Sequence, residues 1–307
     1  MRHFLSLSDL TGDDIRRLLR RAIALKTEWQ RGGNPPLLAG KTLGMLFQKP
    51  SLRTRVSFET AMLHLGGHAL YLSPFEIQLG KRESTPDVAR VLSRYVDVIM
   101  ARVFAHADVV ALAEHSRVPV INGLSDYSHP CQGLSDFLTI VEKKGEDLRG
   151  RRLAFIGDGN NVAVSLLFGA TRLGMDFAIA GPPGYEIRPD VWALGQQFAA
   201  ESGSRLLATH DPVEAVSGAD VVYTDVWASM GQEEEAAERA RIFAPYQVNS
   251  ALVAHARPDA IVMHCLPAHR GQEITDNVAD GPQSALWDQA ENRMHAQKAI
   301  LVELLAP

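Results

Sequence analysis

The sequence predicts an α/β protein of two domains, each with a central, mostly parallel sheet flanked by helices. Short apolar runs alternate with amphipathic stretches along the chain, the pattern of strands covered by crossover helices. The alternation stops at a polar segment ending in glycine, residues 143–150, and then begins again. A length of 307 residues also holds about two domains. The expected division is a first domain over 1–145 and a second over 150–285, with a last helix, about 286–307, packing back on the first.

The elements follow in order. Residues 42–47 read as a buried strand, and the stretch after it places Phe58, Ala61, Met62 and Leu65 on one helical face. Two more apolar runs, 98–101 and 118–122, are expected strands. After His129-Pro130 a helix carries Leu134, Phe137, Leu138 and Val141 at helical spacing. Beyond the polar break come a strand at 152–157, a helix from about Val162, and strands at 176–180, 221–224 and 260–264. The stretch 284–305 is helical in pattern and carries Arg293.

Composition narrows the function classes. Hydrophobic residues make up 46% and charged residues 22%, which excludes a disordered or collagen-like chain. The formal net charge of −5 argues against a nucleic-acid binder, yet allows a local basic pocket for a small anion. Two cysteines, Cys131 and Cys265, are too few for a disulfide framework. The N-terminal residues soon reach Asp9, Asp13 and Asp14, and no run of roughly 18 apolar residues occurs, so neither a signal peptide nor a membrane span is expected. The expected setting is the cytoplasm.

Residues 48–55, Gln-Lys-Pro-Ser-Leu-Arg-Thr-Arg, lie between a predicted strand and a predicted helix. Backbone N–H groups at a helix start, together with the helix dipole, favour an anion there. Ser51 and Thr54 add hydroxyls, and Arg53 adds a planar fork matched to phosphate oxygens. The bland alternative is a serine cap followed by a solvated basic turn, but two arginines in a first turn oppose the dipole and need an anionic partner. His129-Pro130-Cys131-Gln132 again precedes a helix. His129 and Gln132, three residues apart, can face one ligand, though a histidine capping its own helix fits as well. Arg102 follows a strand, where open parallel sheets place ligand contacts, and where a surface charge is also ordinary.

Gly157-Asp158-Gly159-Asn160-Asn161 sits between strand and helix, but Val162 occupies the third glycine of a dinucleotide fingerprint and the next strand ends in Ala180-Gly181-Pro182 instead of an acid. A tight turn whose Asn161 faces a ligand fits better. Asp225 follows another strand and could bind an ammonium group. Ser229, Met230 and Gly231 beyond it suit a loop that closes over substrate. His264-Cys265-Leu266-Pro267 ends a predicted strand. Adjacent ligands without wider spacing make a poor zinc site, and no third group evidently orients a base, so a thiol and backbone lining a polar pocket are expected.

Taken together and in this order, these segments resemble the transcarbamoylase family over nearly the whole chain, and its ornithine branch in particular. The family's phosphate loop, Ser-Thr-Arg-Thr-Arg, corresponds to Ser51-Leu52-Arg53-Thr54-Arg55. His129-Pro130-Cys131-Gln132, Asp225 with Ser229-Met230-Gly231, and His264-Cys265-Leu266-Pro267 correspond to the ornithine branch; the aspartate branch lacks the last two. Leu52 departs from the usual threonine. One hydroxyl is lost, while the backbone N–H still reaches phosphate.

The resemblance implies transfer of the carbamoyl group of carbamoyl phosphate to L-ornithine, or alternatively to another amine such as putrescine or an N-acylornithine. By the same likeness, Ser51, Arg53, Thr54 and the Leu52 backbone hold phosphate. Arg102, His129 and Thr54 polarise the carbonyl, while Gln132, Cys265, Leu266 and Arg293 position the carbamoyl group, so that Arg102, His129, Cys265 and Arg293 carry the catalysis. Asn161, Asp225, Ser229 and Met230 grip ornithine. Gln78, in a loop that resembles one reaching a neighbouring subunit, implies a homotrimer with sites at subunit boundaries. No metal or organic cofactor is called for.

Overall fold

The computed structural model describes residues 1–228 and 233–306. The chain forms two compact units, Met1–Leu138 with Asn292–Pro307, and Thr139–Glu291. It passes from one to the other inside the helices Pro130–Lys144 and Leu286–Leu305.

The first unit holds a parallel sheet of β1 (Thr42–Phe47), β2 (His68–Leu72), β3 (Val98–Arg102) and β4 (Val120–Leu124) in the order β2-β1-β3-β4. Every residue of β3 is buried, as expected where helices cover both faces of a parallel sheet. Helix Leu52–His64 buries Phe58, Ala61 and Met62. Burying a phenylalanine of this kind contributes roughly 1.5–3 kcal/mol. The chain's last residues return to this unit: Arg17 pairs with Glu303 at 3.1 Å, and Lys26 Nζ donates to Asn292 Oδ1 at 2.7 Å.

The second unit is a five-stranded parallel sheet of β5 (Arg152–Ile156), β6 (Asp176–Ala180), β7 (Leu206–Thr209), β8 (Val221–Thr224) and β9 (Ile261–His264), ordered β7-β6-β5-β8-β9. Its core runs through Ile156, Val222, Val248, Val262 and Ile274. Among the described residues no helix is long and apolar enough to cross a membrane.

The two-domain α/β class therefore stands, with differences in detail. β4 starts at Val120, two residues later than the expected 118, because Pro119 lacks an N–H and Val118 is only half-buried. β2 and β7 have no counterpart in the sequence reading. Both lie at sheet edges and are half-exposed. Helix Gly12–Gln30 was also not anticipated; a reciprocal Thr11–Asp14 capping box marks its start.

Open parallel sheets bind ligands beyond the carboxyl ends of the strands where the strand order reverses. In the first sheet that reversal lies between β1 and β3, in the second between β5 and β8. The turns after β1, β5 and β8, and the last residue of β3, carry most of the residues singled out from the sequence.

Candidate active site

In the first unit, Ser51 caps helix Leu52–His64 in extended conformation (φ −158°, ψ 113°). Its Oγ accepts the Thr54 N–H at 3.4 Å and donates to Thr54 Oγ1 at 3.1 Å. The N–H groups of Leu52 and Arg53 have no carbonyl four residues back within the helix, so they remain oriented donors at its positive end. The Leu52 side chain is 76% exposed and its loss of a hydroxyl leaves this backbone donor in place. Arg55 has a local partner, Glu59 Oε1 at 2.9 Å, and lies over the Tyr71 ring at 4.1 Å. Of the two arginines of this turn, Arg55 is thus engaged locally.

Thr54 is fully buried and receives a hydrogen bond from Arg293 Nη2 at 2.6 Å. The same guanidinium donates from Nη1 to Gln132 Oε1 at 3.2 Å, and Nη2 lies 3.4 Å from His129 Nε2. One planar fork thus joins the first turn of Leu52–His64, the start of Pro130–Lys144 and the C-terminal helix. Arg102, at the end of β3, is 5% exposed. Burial, reinforced by the charges of Arg293 and Arg102, holds the His129 imidazole well below its usual range, so it stands neutral. Burial also pushes the Cys131 thiol up to about 12, and its Sγ donates to the Asn122 carbonyl. Gln78 is not part of this cluster: it is exposed, in left-handed conformation (φ 44°), with its amide on the Phe75 carbonyl at 3.4 Å.

In the second unit, Asn160 caps helix Asn161–Leu173. Its Oδ1 accepts the Val162 and Ala163 N–H groups, and its Nδ2 therefore faces outward to Asp225 Oδ2 at 2.8 Å. Asn161 is the first helical residue. The glycines of this turn serve the fold. Gly157 sits at φ +144°, and a Cβ on Gly159 would meet the Ile187 nitrogen at 2.3 Å. The space that a pyrophosphate needs against a dinucleotide-binding glycine is here filled by the chain itself.

Asp225 is 7% exposed; its Oδ1 accepts from Cys265 Sγ at 3.0 Å and from the Val226 N–H at 2.8 Å. Leu266 has positive φ (57°), a conformation costing roughly 1–2 kcal/mol for a residue with a Cβ. Its N–H donates to His264 Nδ1 at 2.9 Å, so that nitrogen is the acceptor and Nε2 carries the proton, toward Glu273 Oε1 at 3.0 Å. His264 and Glu273 are both fully buried. Donor atoms of Asp225, His264 and Cys265 lie within 4.8 Å of one another, but His264 Nδ1 is already committed to Leu266, and a metal there would have to replace that bond.

Ser229 and Met230 lie outside the described residues. The start and end of the segment that contains them meet at Arg239, which donates to the Trp227 carbonyl at 2.9 Å, to Glu235 Oε2 at 3.1 Å and to Asp158 Oδ2 at 2.7 Å. Sequence reasoning missed Asn160, Arg239, Glu273 and Asp136. Asp136, four residues after Gln132, and Arg239, four residues after Glu235, stood at a spacing that could have exposed them.

Chemically, the first unit presents a helix start, a guanidinium fork, hydroxyls and a neutral imidazole, which suits an acyl phosphate. The second presents a buried carboxylate beside a thiol and an amide, which suits an ammonium group. A family model described as "Aspartate/ornithine carbamoyltransferase, carbamoyl-P binding domain" matches residues 2–142, and one described as "Aspartate/ornithine carbamoyltransferase, Asp/Orn binding domain" matches 149–304. An ornithine carbamoyltransferase of Pyrococcus abyssi is 59% identical over 305 residues, covering 99% of this chain and 96% of the relative. An anabolic ornithine carbamoyltransferase of Pyrococcus furiosus is 60% identical over 301 residues, covering 98% and 95%. A solved structure of ornithine carbamoyltransferase from Pyrococcus furiosus superposes with a TM-score of 0.95 at 59% identity, covering 99% of this chain and 97% of that one.

Proposed function

The chain belongs to the aspartate/ornithine carbamoyltransferase family, and from that premise we propose that it transfers the carbamoyl group of carbamoyl phosphate to L-ornithine, giving L-citrulline and phosphate. The observation that carries the donor half is the convergence of Arg293 on Thr54, Gln132 and His129 beside a helix start. The carbamoyl-phosphate-binding domain is residues 1–145 with the C-terminal helix, and the ornithine-binding domain is 150–285.

Ser51, Arg53, Thr54 and the Leu52 N–H hold the phosphoryl group. The neutral δ-amine of ornithine attacks the carbonyl carbon. As the C–N bond forms, charge builds on the carbonyl oxygen, where Arg102, Thr54 and His129 donate. Preorganised donors of this kind are worth on the order of 10²–10³ in rate each. The C–O bond to phosphate then breaks, and the amine proton passes to a phosphate oxygen, which gains basicity as it leaves. Arg293, Gln132, Cys265 and Leu266 keep the carbamoyl plane fixed. Asp225 pairs with the α-ammonium, with Asn161, Ser229 and Met230 completing the grip. The active unit is a cytoplasmic homotrimer in which Gln78 reaches the donor bound by a neighbouring copy. Light scattering is expected at the trimer mass, and an active monomer would contradict this.

A neutral His129 has a visible consequence. With its pKa held well below 6.5, its protonation falls on the acid side of the working range, and kcat/KM for carbamoyl phosphate is expected to show no His129 limb between about pH 6 and 9. A limb near 6.5 that His129→Asn removes would contradict it.

The buried carboxylate of Asp225 favours a free ammonium over an N-acylated nitrogen, and the likeness of Ser229-Met230-Gly231 to the ornithine branch favours a free α-amino acid over putrescine. Product formation from carbamoyl phosphate with L-ornithine, putrescine and N-acetyl-L-ornithine tests this. Citrulline is the expected product, and faster turnover of either other amine would overturn the assignment.

A further inference from the structure

Asp136 is fully buried and takes no part in the reaction as derived above. It accepts a hydrogen bond from Gln132 Nε2 at 2.7 Å, four residues earlier on the same helix. Gln132 itself is 2% exposed and bonds through its other amide atom to Arg293 Nη1 at 3.2 Å. These two neighbours have opposite polarity. The Asp136 Oδ1 oxygen accepts here, so the amide atom beside Asp136 is the NH₂. A guanidinium only donates, so the atom beside Arg293 must be the oxygen. The amide is thereby fixed in one sense, with its donor side occupied by Asp136 and its oxygen turned to the Arg293 cluster.

We propose that Asp136 is a positioning residue that makes Gln132 an acceptor toward the donor substrate and so selects a carbamoyl group over an isosteric acetyl group. The inference rests on the carbamoyl-transfer reading. An amide oxygen has two lone pairs. One meets Arg293, and the second can accept an N–H from the carbamoyl NH₂. Acetyl phosphate has the same shape but a methyl in place of that NH₂, so it would leave the oxygen facing a group with nothing to donate. Sites built to hydrogen-bond a substrate N–H or O–H reject analogues lacking it far more strongly than apolar pockets reject a methyl. Were Asp136 removed, the buried NH₂ of Gln132 would lose its acceptor and the amide would turn to find another. Both faces would then reach the site, and the discrimination would fall.

The test is the ratio of kcat/KM for carbamoyl phosphate to that for acetyl phosphate, with L-ornithine as acceptor. The second reaction forms a C–N bond to the δ-nitrogen, breaks the acetyl C–O bond and yields δ-N-acetylornithine and phosphate. In Asp136→Leu the ratio is expected to fall at least tenfold. In Asp136→Asn, whose Oδ1 still accepts the Gln132 NH₂, it is expected to stay within about threefold of the unsubstituted protein. A residue of merely structural importance would lower both kcat/KM values together and leave the ratio unmoved, and that result overturns the proposal. So does an equal fall of the ratio in the Asn and Leu variants, because an acceptor at position 136 would then not be what matters. If Asp136→Leu does not fold, as judged by circular dichroism, Asp136→Ser, too short to reach the amide, is read in the same way. Failure of the unsubstituted protein to make citrulline would instead count against the function itself.

Discussion

Arg293→Ala is expected to lower kcat for citrulline formation by about 10³, the largest effect of any single substitution at the donor end. The guanidinium joins Thr54, Gln132 and His129, which come from helix starts far apart in the chain, and all four residues are 5% exposed or less. Its removal deletes a fixed positive fork from a site where losing one preorganised donor already costs on the order of 10²–10³, and it loosens two further donors with it. Arg293→Lys keeps the charge but cannot span the same partners, because an ammonium is a point charge and not a planar fork. It is expected to recover little of the loss. Steady-state kinetics with both substrates varied, alongside binding of inorganic phosphate, provides the check. A decrease of less than tenfold in Arg293→Ala would mean that the fork is structural.

Asp225→Ala is expected to act at the other substrate, raising KM for L-ornithine by about 10² with KM for carbamoyl phosphate little changed. The carboxylate is 7% exposed and is held by Asn160 and Cys265 in a fixed orientation. A buried charge pair that loses one partner typically costs roughly 2–5 kcal/mol, which spans the expected factor. Asp225→Asn retains an acceptor oxygen for its neighbours while losing the charge, so it separates charge pairing from local order. If Asn and Ala variants both bind ornithine as tightly as the unsubstituted protein, the α-ammonium is held elsewhere.

Much of the fold could be read from the sequence because buried parallel strands announce themselves as continuous apolar runs. β1, β3, β5, β6 and β8 did so. The edge strands β2 and β7, both half-exposed, went unread although each contains a short apolar run. The glycine-rich turn at 157–161 shows a different limit: spacing marks a sharp turn, but only the packing of Gly159 against residues 186 and 187 shows what fills it. At the site, Ser51, Arg53 and Thr54 were visible because helix starts and hydroxyls are local features. Arg293 stands 239 residues from Thr54, and its part in the cluster followed from family likeness, not from periodicity. Glu273 was invisible for a related reason. A lone glutamate nine residues after His264 gives no sign that it receives the imidazole N–H and so braces Leu266.

The central claim is that the start of helix Leu52–His64 seats the activated donor. A crystal structure with a phosphonate bisubstrate analogue tests it most directly. The expected result puts the phosphonate oxygens within hydrogen-bond distance of Ser51, Arg53, Thr54 and the Leu52 N–H, with the amino-acid end at Asp225. A structure with the compound bound elsewhere, and none of those four groups touching it, would contradict the account.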